Sequence, residues 1–239
     1  DEFIRENFKL TENYAWRITK ARDEIYKLDD YQIEKLILPI LYRPFDTRFI
    51  FYHDSVVWRT RKEVMQHMMK ENLGLITVRQ VAEGIFNHTF ISNNIIDSRI
   101  TLSNKGISYF FPLYLYPSLN KNHIFEKEYK VTERIPNIKE EIFEMLQKEY
   151  KKEVTPEEIL YYIYGVLYSN NYREKYAEFL KIDFPRVPFT KNYEIFKKIG
   201  LLGKELVSLH LLKSEKLNNP VSKFEGEGNN LVKYVKYDE

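Results

Sequence analysis

Ile107-Ser108-Tyr109-Phe110-Phe111-Pro112-Leu113-Tyr114-Leu115-Tyr116 is dominated by aromatic and aliphatic side chains, with one proline inside it and another, Pro117, closing it. A run this short and this aromatic reads as strand rather than helix. Similar runs precede it at 49–52, 73–78 and 89–92, set apart by turn formers such as Asn93-Asn94 and Asn104-Lys105-Gly106. Between Arg43 and Tyr116 the chain is therefore expected to form a sheet. One helix is expected to interrupt it at 61–70, where Val64, Met65, Met68 and Met69 recur at helical spacing.

On either side the texture is helical. Before Pro39, apolar residues three and four apart (Phe3, Phe8, Tyr14, Ile18, Ile25, Leu28) predict one or two helical segments up to Lys35. After Pro117 a charged connector, 120–134, leads to a helix carrying Ile138, Ile142, Met145 and Leu146, with Asn137 and Glu140 as its expected cap pair. Thr155-Pro156-Glu157-Glu158 is a fuller start signal: a hydroxyl cap, Pro in the first turn and Glu three residues after the cap. Its helix should bury Ile159, Ile163, Val166 and Leu167. Asn171 is expected to cap a helix through Tyr172, Tyr176 and Phe179 to Leu180. Pro185 and Pro188 forbid helix over 183–188. A long helix then spans about 192–212, with Phe196, Ile199, Gly203, Leu206 and His210 on one arc. The tail is polar until a possible strand at 231–235. The expected fold class is α+β: a twisted, mainly antiparallel sheet in the first half, packed with a helical layer from the second.

The chain has 239 residues, 44% of them hydrophobic, enough for a core and too apolar for disorder. It has no cysteine, so disulfides, thiolate zinc sites and thiol nucleophiles are excluded, and a reducing, cytoplasmic setting is expected. No run approaches the ~18 apolar residues of a spanning helix, so no membrane partner is expected. It opens at Asp1 rather than Met, and a piece of a longer polypeptide is expected. Catalytic signatures are missing. Gly200-Leu201-Leu202-Gly203-Lys204 has the wrong spacing for a phosphate loop, and the five histidines (His53, His67, His88, His123, His210) form no ligand pair. His210 lies on an apolar helix face and is read as a hydrogen-bonded core residue. There is no nucleophile elbow, and no Asn-Pro-Pro-aromatic tetrad of an amino-methyltransferase.

The net charge is only +2, from 37 Lys+Arg against 35 Asp+Glu. Yet Arg43, Arg48, Arg59, Arg61, Arg79 and Arg99 all fall in the strand-rich part, and from Arg43 to Lys105 nine basic residues face six acidic ones. Guanidinium holds two oxygens of a phosphate, or guanine O6 and N7, in one planar fork. Gln80, Asn87, Asn93, Asn94, Ser98, Ser103 and Asn104 lie among them and suit adenine edges or phosphates. The candidate DNA contacts are therefore Arg43, Arg48, Arg59, Arg61, Lys62, Arg79, Gln80, Asn87, Asn94, Arg99, Asn104 and Lys105. Arg59-Thr60-Arg61-Lys62, at the start of the Met-bearing helix, is the preferred phosphate site. Tyr42-Arg43-Pro44-Phe45-Asp46-Thr47-Arg48 also reads as a structural corner, in which Pro44 sets an extended entry and Asp46 pairs with Arg43 or Arg48.

Several stretches together resemble one family. They are Tyr42-Arg43-Pro44-Phe45-Asp46-Thr47-Arg48, Val64-Met65-x-His67-Met68, Asn72-Leu73-Gly74-Leu75, Val78-Arg79-Gln80, Asp97-Ser98-Arg99 and Phe111-Pro112-Leu113-Tyr114-Leu115-Tyr116. Arg134-x-Pro136-Asn137, Tyr162-Ile163-Tyr164-Gly165-Val166-Leu167, Tyr172-Arg173-Glu174-Lys175-Tyr176 and Phe179-Leu180-Lys181-Ile182-Asp183-Phe184-Pro185-Arg186-Val187-Pro188 continue the series. In order and spacing they resemble the carboxy-terminal target recognition domain of Type ISP, single-polypeptide, restriction–modification enzymes. That resemblance implies a domain reading a short asymmetric sequence in double-stranded DNA. Upstream domains of the same chain would methylate a flipped adenine with S-adenosylmethionine and cleave unmethylated DNA with ATP and Mg. No cofactor is then expected in this chain. Residues 1–38 would connect to the methyltransferase domain. Residues 39–239 would be the recognition domain: sheet-rich 39–117, helical 135–213, tail 214–239. Loops 81–87 and 100–106 would carry base contacts. A different reading makes the tyrosines of 161–168 and 172–176 a docking surface for catalytic modules.

Overall fold

The computed structural model describes residues 2–13, 16–81, 84–101, 107–117, 134–222 and 225–229. Most of the expected connector, 120–134, and the expected strand at 231–235 lie outside them. Three short helices open the chain: α1 (Glu2–Phe8), α2 (Ile18–Ile25) and α3 (Asp30–Leu36). The last is closed by a capping box, with Asp29 accepting from the Gln32 N–H at 2.8 Å and Gln32 answering at the Asp29 N–H.

The strands are β1 (Ile37–Arg43), β2 (Asp46–Phe51), β3 (Gly74–Val78), β4 (Phe90–Ser92), β5 (Ile95–Ile96), β6 (Ser108–Pro112), β7 (Tyr114–Leu115) and β8 (Ile135–Pro136). The mainly antiparallel character holds, since among the described residues only β1 and β5 pair in parallel. The single sheet expected between Arg43 and Tyr116 does not: the strands divide into β2-β1-β5, β4-β3-β6 and β7-β8. Pro112 is where the opening aromatic run breaks. It ends β6, and Leu113 donates to Leu73 O at 2.7 Å before β7 begins a new pairing.

Side-chain alternation along β3 then builds layers. Leu75 and its partner Ile91 face the helices, meeting Leu160 and Val207, whereas Ile76 and its partner Phe90 face Leu41 and Ile96 of the first sheet. Both faces of this sheet are covered, which is why β3 is apolar on both faces but for Thr77 rather than alternating.

The helical layer comprises α5 (Glu140–Tyr150), α6 (Pro156–Leu167), α7 (Asn170–Lys175), α8 (Ala177–Ile182) and α9 (Tyr193–His210). Thr155 and Glu158 form the expected capping box. Asn192 caps α9 by accepting from the Ile195 N–H at 3.1 Å. Other start signals fall elsewhere. Asn137 does not cap α5 but donates to Pro112 O at 2.9 Å, tying β8 to the sheet. Ser169 rather than Asn171 caps α7, and the expected continuous helix to Leu180 breaks at Tyr176 into α7 and α8. The Met-bearing segment is only α4 (Lys62–Met65) and one 3₁₀ turn, Gln66–Met68.

α6 is buried nearly all round: Ile159, Leu160, Tyr162, Tyr164, Val166 and Leu167 are all in the core. It meets α9 where glycines face it. A Cβ on Gly203 would stand 1.8 Å from Tyr161 O, and one on Gly165 2.7 Å from Ile199 O. The tyrosines belong to this core. Tyr150, Tyr162 and Tyr172 insert their rings and donate hydroxyls to Thr190 O, Pro188 O and Arg186 O, at 2.5, 2.8 and 3.0 Å. They thereby hold the proline-containing strap 183–190, which has no regular bonding of its own. His210 sits as expected, its Nδ1 2.6 Å from the Tyr164 hydroxyl and its ring stacked on Phe90.

Candidate nucleic-acid interface

The β1–β2 hairpin turns on Pro44 and Phe45. Pro44 presets the first corner, and Phe45 takes a left-handed φ of 66°. A non-glycine residue there is strained, and ring packing offsets the cost: Phe45 lies edge-on to Phe90 and His210, with centroids 5.2 and 5.9 Å away.

This corner gathers three of the candidate arginines. Arg43 bonds Asp97 at 2.9 Å and Tyr42 O at 2.5 Å, and the Arg99 backbone N–H donates to the same Asp97 carboxylate at 2.9 Å. Arg48 grips Asp46 through Nε and Nη2, at 3.0 and 2.8 Å. That hydrogen bond is the main reason the Asp46 carboxyl titrates below the usual range. Arg43 and Arg48 both lie 4.1 Å from the Tyr42 ring centroid. The structural-corner reading and the contact reading are compatible. The bonds orient the guanidinium groups, and both side chains keep about half of their surface exposed, 39% for Arg43 and 58% for Arg48.

A second group, Arg59, Arg61 and Lys62, lies at the end of the loop after β2 and on the first residue of α4. Lys62 pairs with Asp54, whose carboxyl is held below the usual range chiefly by that bond and then by the Thr60 hydroxyl. Arg61 reaches Glu63 only at 4.0 Å, and no carboxylate pairs with Arg59 among the described residues. α4 is a single turn, too short for a helix-dipole contribution to a phosphate site, so any anion held here would be held by side chains.

The third group is not at the same place. Arg79 bonds Asp183 at 3.1 Å and Gln80 donates to Ile182 O at 3.3 Å, so both join the end of β3 to the end of α8. Asn87 is exposed. Asn94 is half-buried, its backbone exchanging bonds with the Ser92 hydroxyl at 3.0 and 2.9 Å. Asn104 and Lys105 lie outside the described residues, as does part of each loop expected to carry base contacts. Missing from the candidates read from sequence were exposed aromatics among the basic residues: Phe49 at 77% and Trp58 at 60%. Their adjacency to Arg48 and Arg59 was the available signal.

Among the described residues no three His, Asp or Glu side chains come together as metal ligands, and no helix is long and apolar enough to cross a membrane.

The fold resembles several solved structures. One is the DrdV–DNA complex determined by cryo-electron microscopy, 26% identical, TM-score 0.60, matched over 79% of this chain and 17% of that one. Another is the ATP-dependent Type ISP restriction-modification enzyme LlaBIII bound to DNA, 27% identical, TM-score 0.58, over 82% of this chain and 12% of that one. A nuclease-deletion mutant of the Type ISP enzyme LlaGI with a DNA substrate mimic shares the fold at 24% identity and TM-score 0.51, over 74% and 14%. The chain thus spans only a small part of the length of each. None of the curated proteins matches the sequence. The family model that does match, the Type ISP C-terminal specificity domain, covers residues 1–239, so this chain belongs to that family.

Proposed function

We propose that this domain reads a short sequence in duplex DNA and presents it to catalytic domains of the same polypeptide, which methylate an adenine within it and cleave unmethylated DNA. The whole-chain match to a specificity-domain family carries the reading. Two of the similar structures, at 26% and 27% identity, are complexes with DNA, which supports a duplex as the partner. S-adenosylmethionine, ATP and Mg would act in the other domains. In this reading the corner group (Arg43, Arg48, Arg99) and the loop group (Arg59, Arg61, Lys62) meet the DNA. Arg79 and Gln80 act on it only indirectly, by fixing the sheet against α8.

Replacing Arg59 and Arg61 together by Ala leaves up to two phosphates without a cation. The slope of log K against log salt should flatten by about 0.9 for each phosphate no longer neutralised, equally for specific and random duplex. Titrations of the full-length enzyme at several salt concentrations would show it. Unchanged slopes on both duplexes would remove these two residues from the interface.

A further inference from the structure

The ten residues between β2 and α4, 52–61, form a loop that is closed at both ends and carries an indole on its outside. The buried Tyr52 donates its backbone N–H to Leu36 O at 2.7 Å, and its hydroxyl reaches across the loop to Thr60 O. The Thr60 hydroxyl donates to Asp54 at 2.6 Å, and Lys62 closes on the same carboxylate. Val56 and Val57 both donate to His53 O, at 3.0 and 2.8 Å, and the His53 ring bonds the Ser55 hydroxyl at 2.7 Å. From outside the loop, Trp16 donates its indole N–H to Ser55 O at 2.6 Å.

Within this frame Arg59 and Arg61 adopt left-handed φ values of 57° and 51°. Non-glycine residues hold that conformation where surrounding bonds impose it. The result is directional. Trp16 is half-buried with its N–H bonded, whereas Trp58 stands 60% exposed, with the 43% exposed Val56 nearby and the Arg59 guanidinium 5.8 Å from its ring. An exposed apolar ring on a hydrogen-bonded loop, with one guanidinium beside it and a second arginine three residues on, matches a base stack edged by phosphates. An apolar side chain that enters the base stack unstacks and kinks the duplex, while nearby cations hold the backbone.

We propose that Trp58 is such a wedge: its indole enters the base stack of the bound duplex while Arg59 and Arg61 hold the flanking phosphates. This rests on the duplex-recognition reading above. Because the loop's bonds do not pass through the indole, Trp58→Ala leaves the frame intact.

The test uses the full-length enzyme and short duplexes carrying the sequence at which its own methylation is mapped, with 2-aminopurine placed at each position in turn. The wild type should raise the fluorescence at one step besides the methylated adenine. Trp58→Ala should abolish that rise and weaken specific binding about ten- to hundred-fold, with the salt slope unchanged. Trp58→Phe should keep the rise. A fluorescence pattern in Trp58→Ala identical to the wild type overturns the wedge, as does a drop in affinity that is equal on specific and random duplex. If the wild-type enzyme itself does not distinguish the two duplexes, duplex recognition fails instead, and the wedge with it.

Discussion

Three histidines show how residue-scale burial sets a pH response. Burial holds His67, His88 and His210 below the ordinary imidazole value. The bonding agrees for His67, whose Nδ1 accepts from the Tyr116 N–H at 3.0 Å. A ring whose nitrogen accepts must be neutral. In the unfolded chain the same rings titrate near pH 6.5, so as pH falls below that value the unfolded state binds protons that the folded state refuses. Stability is therefore full above pH 6.5 and declines as pH falls towards the lower folded values, by at most about 1.4 kcal/mol per pH unit per histidine. Urea unfolding at pH 7.5 and 5.5 should show a lower midpoint at 5.5 with the same m-value. This window lies above the range where Asp46, Asp54 and Asp183 titrate, so a flat midpoint would contradict the lowered titration of these histidines. The core role of His210 was legible from its helix face alone. The partners of the arginines were not, because the Asp97 that holds Arg43 is 54 residues away and the Asp183 that holds Arg79 is 104 away.

At the scale of elements, local chemistry was most readable where the signal lies within one turn. Thr155-Pro156-Glu157-Glu158 and Asn192 start α6 and α9 as read. Asn137 has the same residue type, but a tertiary acceptor, Pro112 O, holds its side chain instead. β1 was harder to read because Pro39 interrupts Ile37–Arg43. The strand tolerates it because β5 joins only at Ile40 and Leu41, leaving Pro39 beside β2 alone. The α6–α9 contact is a glycine-dependent approach. Gly203→Ala would drive a methyl into the Tyr161 carbonyl, which a backbone cannot yield without separating the helices. A destabilisation of roughly 3 kcal/mol is expected, at the upper end of overpacking costs. Chemical denaturation measures it, and a variant as stable as the wild type would show that the helices do not approach this closely.

For the whole molecule, the α+β class and the order of sheet then helices were legible, because strand-like and helical textures change at Pro117. The division of the described strands into three small sheets was not, since pairing across 37–136 depends on contacts that no local pattern encodes. The balanced charge of +2 likewise concealed how the basic residues are placed: a corner, a loop and a seam rather than one patch. A specificity domain should select the sequence on which its enzyme acts, whatever catalytic domains it is joined to. The direct measurement is an exchange: this domain replaces the corresponding one in a Type ISP relative such as LlaBIII, and methylated adenines are mapped in the DNA of cells carrying the hybrid. The methylated sequence should change to the one set by this domain. Methylation that stays at the recipient's original sequence would contradict it.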